Sequence, residues 1–189
     1  GRLRADMKVP LLGLLVLGGL QGFVGWFMVQ SGLSARVDVS QYRLALHLAL
    51  AFLVLGGLQW QGMKLGDREP QTIALRTITR GQVRMAMAIA GLVFLQVIAG
   101  AFVAGLKAGL TYNTWPLMDG KLVPDGLATL SPWWLNLFEN HTAVQFNHRL
   151  LAYVLALAAL AHAVGVIRSA DDASVRGSAW LLASAVLAQ

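Results

Sequence analysis

Two histidines lie inside long apolar stretches of this sequence, each close to an arginine. His47 belongs to YRLALHLALAFLVLGGLQW and His148 to QFNHRLLAYVLALAALAHAV. An imidazole within a bilayer is unfavourable in free energy, so it usually faces the protein interior and has a function there. Neutral imidazoles on two helices can bind haem iron, and the adjacent Arg43 and Arg149 are suited to haem carboxylates. The residue types therefore predict two axial haem ligands.

The predicted depths of the two histidines agree. The helix of His47 would enter from the outer side of a membrane near Tyr42, and the helix of His148 would enter from the same side near Thr142. At a rise of about 1.5 Å per residue, both histidines would lie roughly 7–9 Å from that side. The alternative for each is a core histidine that bonds to a backbone carbonyl of a neighbouring helix.

Side chains around the histidines extend this prediction. Arg43 lies one helical turn before His47, so the two project from one face, as a propionate partner and an iron ligand would. Gln145 shares the face of His148 and could bond to a propionate or a water molecule. Arg149 points about 100° away from His148 around the helix, so it could reach a propionate or lie at the membrane edge.

Two further histidines are weaker candidates. His162 follows His148 by 14 residues, which places it roughly 21 Å deeper on nearly the same face and excludes a shared haem. A structural or interfacial role is the favoured interpretation of His162, and a ligand of a second haem is the alternative. His141 and Glu139 are expected to cap and solvate the outer end of the same helix, with proton transfer as the alternative.

The composition indicates which elements position these residues. Hydrophobic residues make up 57% of the chain, charged residues 13%, and the mean hydropathy is +0.61, which is too apolar for a soluble domain. Four charge-free runs have the length of a spanning helix. They lie between Lys8 and Arg36, Arg43 and Lys64, Arg84 and Lys107, and Thr142 and Arg168. A fifth run begins near Ser178. The sequence predicts an all-α polytopic transmembrane helical bundle with four complete spans and the start of a fifth.

Cysteine and charge content narrow the function classes. The absence of cysteine excludes disulfides, thiolate metal sites and iron–sulfur clusters. Ten of the 15 Lys and Arg residues lie at the N-terminus, in the 61–83 loop, at Arg84 just after it, and in the 168–177 loop, which predicts that this side faces the cytoplasm or matrix. Because the basic residues gather at the ends of apolar runs, the net charge of +6 indicates a lipid bilayer and not nucleic acid as the partner.

The outer loop and the glycines each have two interpretations. Trp115, Trp133 and Trp134 of the loop are expected to be interfacial anchors, although so long a loop would also suit covering a site. Glycines on the first and third helices favour close helix packing, or the approach of a haem face to bare backbone. These are Gly18, Gly22, Gly25, Gly91, Gly100 and Gly105. The phrases LQGFVGWF and LQVIAGAF share Leu-Gln, a later Gly and a later Phe at equal spacing, a weak echo consistent with repeated halves.

Both ends of the sequence are expected to be cut. The first residue is Gly, and the final AWLLASAVLAQ begins an apolar run that is too short to cross a membrane. We therefore expect a piece of a larger membrane protein.

At this point the sequence resembles the haem A synthase family, membrane enzymes that mature haem for cytochrome oxidase. The matching phrases are LQGFVGWFMVQSGL, YRLALHLALAFL, GLTYNTWPLMDGKLVP, NLFEN and QFNHRLLAYVLALAALAH, in the expected order over most of residues 10–165. The combination is specific, and the lack of cysteine resembles the alphaproteobacterial and mitochondrial branch.

The resemblance implies an eight-helix protein made of two four-helix halves, each with one haem between two histidines near the outer side. Residues 1–63 would be the last two helices of the N-terminal half. Residues 64–83 would be a cytoplasmic linker, and 84–189 the first helices of the C-terminal half, with 107–141 as its outer loop. The expected location is the bacterial inner membrane, with the mitochondrial inner membrane as the alternative, and the expected assembly is a homo-oligomer.

The resemblance also implies residue roles. His47 would bind the iron of substrate haem O, and Arg43 would also contact that haem. His148 would bind the iron of a haem b cofactor, and Arg149 and Gln145 would also contact that cofactor. The other two ligands would lie outside this sequence, and catalytic residues are expected upstream of Gly1, so the isolated fragment should be inactive.

The implied reaction oxidises a methyl group of haem O to a formyl group, which gives haem A. Electrons would leave through haem b to an unidentified acceptor, and haem O synthase is a candidate partner. Two other classes stay open: a b-type cytochrome subunit that only transfers electrons, and a haem-free transporter in which Arg43 and Arg149 meet an anionic substrate.

Overall fold

Five α-helices make up most of the computed structural model, which describes residues 5–32, 39–66 and 78–188. They are α1 (Ala5–Gly32), α2 (Gln41–Gly66), α3 (Arg80–Gly105), α4 (His141–Ser169) and α5 (Ala173–Ala188). Two short 3₁₀ helices, Ala108–Leu110 and Trp133–Leu137, lie between α3 and α4. The first four α-helices are long and apolar enough to cross a membrane. These findings confirm the prediction of an all-α polytopic membrane bundle.

The helices extend beyond the charge-free runs that predicted them. α2 includes Arg43 near its start and Lys64 near its end, and α3 begins at Arg80. Long basic side chains can reach the interface from the end of a span, so the charges do not stop these helices. The predicted charge bias also involves residues outside the described ranges, namely Arg2, Arg4, Arg36, Arg68 and Arg76. Most of the predicted 64–83 linker lies outside them as well.

Large apolar side chains cover the outer surfaces of the helices. On α1, for example, Val9 is 79% exposed and Leu15 is 72% exposed. A soluble protein would have to bury such side chains, whereas lipid tails solvate them. The exposed faces therefore fit the membrane assignment.

One compact unit contains α1, α2, the end of α3, the loop from α3 to α4, and the first turns of α4. Leu14 of α1 meets Gly57 of α2, and Gly25 of α1 meets His47 of α2. Because the contacting numbers rise on one helix as they fall on the other, α1 and α2 run antiparallel. A Cβ atom at Gly57 would lie 2.5 Å from Leu14 Cδ2, so any larger residue there would require the Leu14 side chain to shift.

A second unit contains the start of α3, the rest of α4, and α5. Small side chains of α4 and α5 form its apolar core, which consists of Ala163, Val166, Ala170, Ala179 and Ala183. Asp172 caps α5: its Oδ1 accepts hydrogen bonds from the backbone N–H groups of Ser174 (2.7 Å) and Val175 (3.2 Å). This cap explains why α5 begins at Ala173 and not near Ser178, where the apolar run starts.

Candidate functional site

The imidazole of His47 packs against bare backbone on the neighbouring helix α1. A Cβ atom added at Gly25 would lie 3.1 Å from His47 Cε1 and 3.6 Å from Nδ1. Any larger residue at position 25 would require the His47 ring to shift. The contact therefore supports the interpretation that Gly25 allows close helix packing. The contact fixes which edge of the ring faces α1.

The polar atoms of His47 are only partly satisfied. Gln21, one turn before Gly25 on α1, places its side-chain nitrogen 3.1 Å from His47 Nε2. Among the described residues, neither His47 Nδ1 nor Gln21 Oε1 has a hydrogen-bond partner, although both atoms are buried. Buried polar atoms are normally paired, and exceptions often mark a site where another group binds. The alternative of a core histidine bonded to a neighbouring carbonyl is not what the structure shows.

Arg43 lies one turn before His47 on α2 and is half-buried. Its guanidinium carbon is 5.3 Å from the centre of the Phe27 ring on α1, a cation–π contact. This contact holds the positive charge at the same end of the α1–α2 pair as His47. The position suits an anionic group of a ligand that His47 also binds.

His148 has the same kind of glycine contact on the helix that precedes it. A Cβ atom added at Gly100 of α3 would lie 3.2 Å from His148 Cε1. The two histidines therefore share a local geometry, imidazole against glycine, which α1–α2 and α3–α4 each provide. Gly25 and Gly100 are also the glycines that the similar phrases LQGFVGWF and LQVIAGAF have in common.

His148 also lines an open cavity of about 300 Å³. Its other lining residues are Gly100, Val103, Ala104, Lys107, Gly109 and Leu110. The walls are therefore apolar apart from His148 and Lys107, an imidazole and a cation. Sequence reasoning used Lys107 only to mark the end of a helix and did not identify it as a candidate ligand contact.

Gln145 has a role that the sequence did not indicate. Its side chain is buried, its oxygen accepts from the Tyr112 N–H (3.2 Å), and its nitrogen donates to the carbonyls of Tyr112 (2.8 Å) and Gly109 (3.4 Å). The amide therefore fastens the loop segment 109–112 to the first turns of α4. Contact between Gln145 and a haem stays a prediction.

Buried asparagines hold the rest of the loop together. Asn140 donates to the Gly126 carbonyl at 2.8 Å and accepts from the Ala143 N–H at 3.1 Å, so it joins the loop to the start of α4. Asn136 accepts from the Leu130 N–H at 3.0 Å. On the exposed surface, an ion pair with Asp125 raises the pKa of Lys121. These hydrogen bonds give the loop a fixed conformation and fasten it to the start of α4.

The outer end of α2 contacts the loop and the end of α3. The Tyr42 hydroxyl donates to Glu139 Oε1 at 2.9 Å, and the Tyr42 ring meets Phe102 with 5.6 Å between centroids. A Cβ at Gly105 would lie 2.5 Å from Gln41 Cα, so α3 ends directly against α2. Both histidines therefore lie in the first few turns of their helices at one end of the unit, and their depth in a membrane stays a prediction.

The remaining candidates are placed as follows. His141 is exposed at the first position of α4, and His162 is half-buried further along that helix. Arg149 is half-buried and directly follows His148. The structure leaves the predicted roles of these three residues untested. Glu139 is exposed and accepts the Tyr42 hydrogen bond, so it does more than solvate the helix end.

The donor set fits a haem better than a bare metal ion. Within the described part of the chain, no three His, Cys, Asp or Glu side chains cluster in a way that could hold an ion. His47 and His148 instead lie on separate helices among mainly apolar side chains, each with a cation nearby in sequence or in the cavity wall. A porphyrin supplies its own four nitrogens to iron, so it needs one imidazole per face and partners for its carboxylates. The residues present fit that requirement.

Comparisons with known proteins give consistent matches. A family model described as "Cytochrome oxidase assembly protein" matches residues 1–189. The chain is 53% identical over 169 residues to the "Heme A synthase" of Agrobacterium fabrum, an alignment that covers 89% of this chain and 45% of the relative. It is 46% identical over 190 residues to that of Rhodopseudomonas palustris strain BisA53, covering 99% and 51%.

A third relative, the "Heme A synthase" of Rhizobium meliloti, is 48% identical over 189 residues, with coverage of 100% of this chain and 50% of the relative. The chain thus spans about half the length of the curated relatives it matches. No solved structure matches it.

Proposed function

The chain belongs to the haem A synthase family of cytochrome oxidase assembly proteins, and from this membership we propose that it forms part of an enzyme that oxidises haem O to haem A. The full-length enzyme would convert one methyl group of haem O to a formyl group. The proposed location is the inner membrane of a bacterium, because the relatives are bacterial and four helices can span a membrane.

The observation that supports this proposal most strongly is the repeated glycine–imidazole contact. Gly25 with His47 and Gly100 with His148 give the same distance within 0.1 Å, from 3.1 to 3.2 Å, on two different helix pairs. An enzyme with one substrate haem and one cofactor haem needs two such ligands. A transporter with two arginine sites would not need an imidazole in either place.

We assign His47 to the iron of substrate haem O and Arg43 to one of its propionates. The ring edge of His47 is fixed by Gly25, and the Arg43 charge is held beside Phe27. Ligation to iron would use a ring nitrogen that carries no proton. These residues would bind and orient the substrate. The second ligand and the catalytic acid–base group are proposed to lie in the full-length protein outside this sequence.

We assign His148 to the iron of a haem b cofactor. Lys107 in the cavity wall and Arg149 beside His148 would face its propionates, and Gln145 would act by holding the cover over the site. Haem b would supply one-electron redox chemistry. The folded loop over residues 107–140 would limit the access of water to this site.

The overall reaction balances with water as the oxygen source. R–CH₃ and H₂O give R–CHO with release of four electrons and four protons, so an electron acceptor is required. The proposal takes haem b as the first carrier and an unidentified acceptor beyond it. A haem O synthase that supplies the substrate and a homo-oligomeric assembly are further parts of the proposal.

The test uses cells that lack the full-length protein. We expect their extracted haems to contain haem O and no formyl haem, and expect the wild-type gene to restore haem A. Normal formyl haem in the deletion strain would contradict the proposal. If the purified full-length protein bound two haems but the deletion left haem A unchanged, a b-type electron-transfer subunit would be the better function.

A further inference from the structure

Gln21 of α1 contacts the imidazole of His47 on α2 at the ring nitrogen Nε2. Its side-chain nitrogen lies 3.1 Å from His47 Nε2. The bond links α1 to α2 across 26 sequence positions and is partly buried. A hydrogen bond at that nitrogen and a bond from that nitrogen to iron exclude each other, because both use the same lone pair.

The geometry favours Nε2 over Nδ1 as the nitrogen that could reach iron. The Nδ1–Cε1 edge faces Gly25, with Nδ1 only 3.6 Å from the position of an added Cβ. Nδ1 is buried on that edge, and the α1 backbone beside it moves only with its helix. Nε2 is hydrogen-bonded to the Gln21 side chain, whose rotatable bonds let it turn away.

The buried polar atoms without a hydrogen-bond partner also indicate that the Gln21–His47 bond can be exchanged. As found, the pair satisfies one ring nitrogen and one end of the amide, while the buried Nδ1 of His47 and Oε1 of Gln21 have no partner within the described residues. A partly satisfied buried network is poorly stabilised and therefore easily exchanged. The Gln21–His47 bond suits a temporary arrangement better than a permanent core contact.

We propose that Gln21 is a positioning residue for substrate exchange: it holds Nε2 of His47 when the site is empty and yields it to the iron of the incoming haem. This inference rests on the proposed function. It adds a competition at the substrate site, in which an amide hydrogen bond replaces the metal bond when product leaves. His47 would then stay oriented between turnovers, at the expense of some haem affinity.

The same spacing recurs in the other half of the chain. Gln96 precedes Gly100 by four residues on α3, as Gln21 precedes Gly25 on α1. The repetition indicates that the glutamine belongs with the glycine–imidazole contact and is not an isolated polar residue in a membrane helix. The proposal itself concerns Gln21, for which the bond is observed.

The experiment is a titration of the purified full-length protein with iron protoporphyrin IX, followed by absorbance. The binding phase that His47→Ala abolishes is assigned to the His47 site. In Gln21→Leu, which removes the competing bond, we expect the Kd of that phase to fall by about 2- to 12-fold, the range that one net hydrogen bond gives. The position of its absorbance band should not change, because Gln21 would already have left the nitrogen in the bound state.

Gln30→Leu is the matched control, since Gln30 is exposed on the same helix, and it should leave the Kd unchanged. A Kd that rises or stays constant in Gln21→Leu overturns the exchange role, because loss of a merely structural bond would weaken binding. If the wild-type protein shows no phase that depends on His47, the proposed function fails and the role of Gln21 fails with it. If that phase exists but its Kd does not change in Gln21→Leu, only the inference about Gln21 fails.

Discussion

The His47 region and the His148 region have the same glycine–imidazole contact but different surroundings. At His47 the nearest polar neighbour is Gln21, held by a single hydrogen bond. At His148 the ring lines a cavity, and a loop fastened by Gln145 and Asn140 lies over the first turns of its helix. A side chain that can turn away suits a site that must exchange its ligand. A folded cover suits a site that must keep one.

This comparison indicates how one helix-pair design can serve two purposes. In both regions the helix pair supplies the histidine and fixes the orientation of its ring. The elements outside the pair then set how readily a bound group leaves. We therefore expect substitutions at the shared contact to act alike in the two regions, and substitutions in the surroundings to act on one region only.

The largest expected effect separates the two histidines. His148→Ala should remove nearly all of the tightly held haem from the purified full-length protein, because no other described residue in its cavity can replace the ligand. His47→Ala should leave that haem in place and mainly abolish turnover of haem O. Pyridine haemochrome content and haem A formation measure the two quantities. Equal loss of haem in both variants would contradict the division of roles.

The shared contact is tested by adding one methyl group to each glycine. Gly25→Ala and Gly100→Ala should each weaken haem binding at the adjacent histidine by about fivefold, since crowding of this kind costs about 1 kcal/mol. Helix stability should not fall, because Ala favours helix over Gly by up to about 1 kcal/mol. Haem titration and thermal unfolding provide the two readouts.

Gly22→Ala and Gly91→Ala are matched controls on the same two helices, since a Cβ at either position meets nothing within 4 Å. If the controls weakened haem binding as much as the test variants, the effect could not come from contact with the imidazole.

A smaller effect is expected from the cover of the second region. Gln145→Leu removes the hydrogen bonds to the backbone of residues 109–112 and leaves buried groups unpaired, a change worth about 1–3 kcal/mol. We expect proteolysis within the 107–140 loop to become roughly tenfold faster and haem loss from the His148 site to accelerate. Haem binding at His47 should not change. Gln59→Leu, an exposed position on α2, is the control.

The smallest effect is expected at the exposed surface of the same loop. Lys121→Gln should change proteolysis of the loop by no more than about twofold, because exposed ion pairs contribute little. The ion pair with Asp125 raises the pKa of Lys121 in the folded loop. Its contribution is therefore complete below the ordinary lysine pKa and is lost only as pH rises through the raised value. Cleavage rates measured across neutral pH should consequently show no pH dependence that arises from titration of Lys121.

Much of the fold could be predicted from the sequence because the apolar runs are long and uninterrupted. The four spans and the pairing of His47 with Arg43 on one face follow from helix periodicity alone. The boundaries of α3 and α5 were less well predicted. α3 begins at Arg80, four residues before its charge-free run, and Asp172 starts α5 ahead of the apolar run through a cap that hydropathy does not register.

The candidate site was predicted in part. Its histidines were identified because an imidazole is conspicuous in an apolar stretch. Gln21 and Lys107 were missed, although the echo around Gly25 and Gly100 contained Gln21 and could have drawn attention to it. A haem contact of Gln145 stays a prediction, whereas its hydrogen bonds to Tyr112, 33 residues away, could not be read from local spacing.

The sequence by itself determined the membrane helices, the family and the two histidines, because hydropathy and residue type are local properties of the chain. Tertiary structure alone decided which glycine lies against which imidazole, which ring nitrogen Gln21 holds, and what covers the second site. Those features depend on contacts between residues from 22 to 48 positions apart. Only the packing of one helix on another brings such residues together.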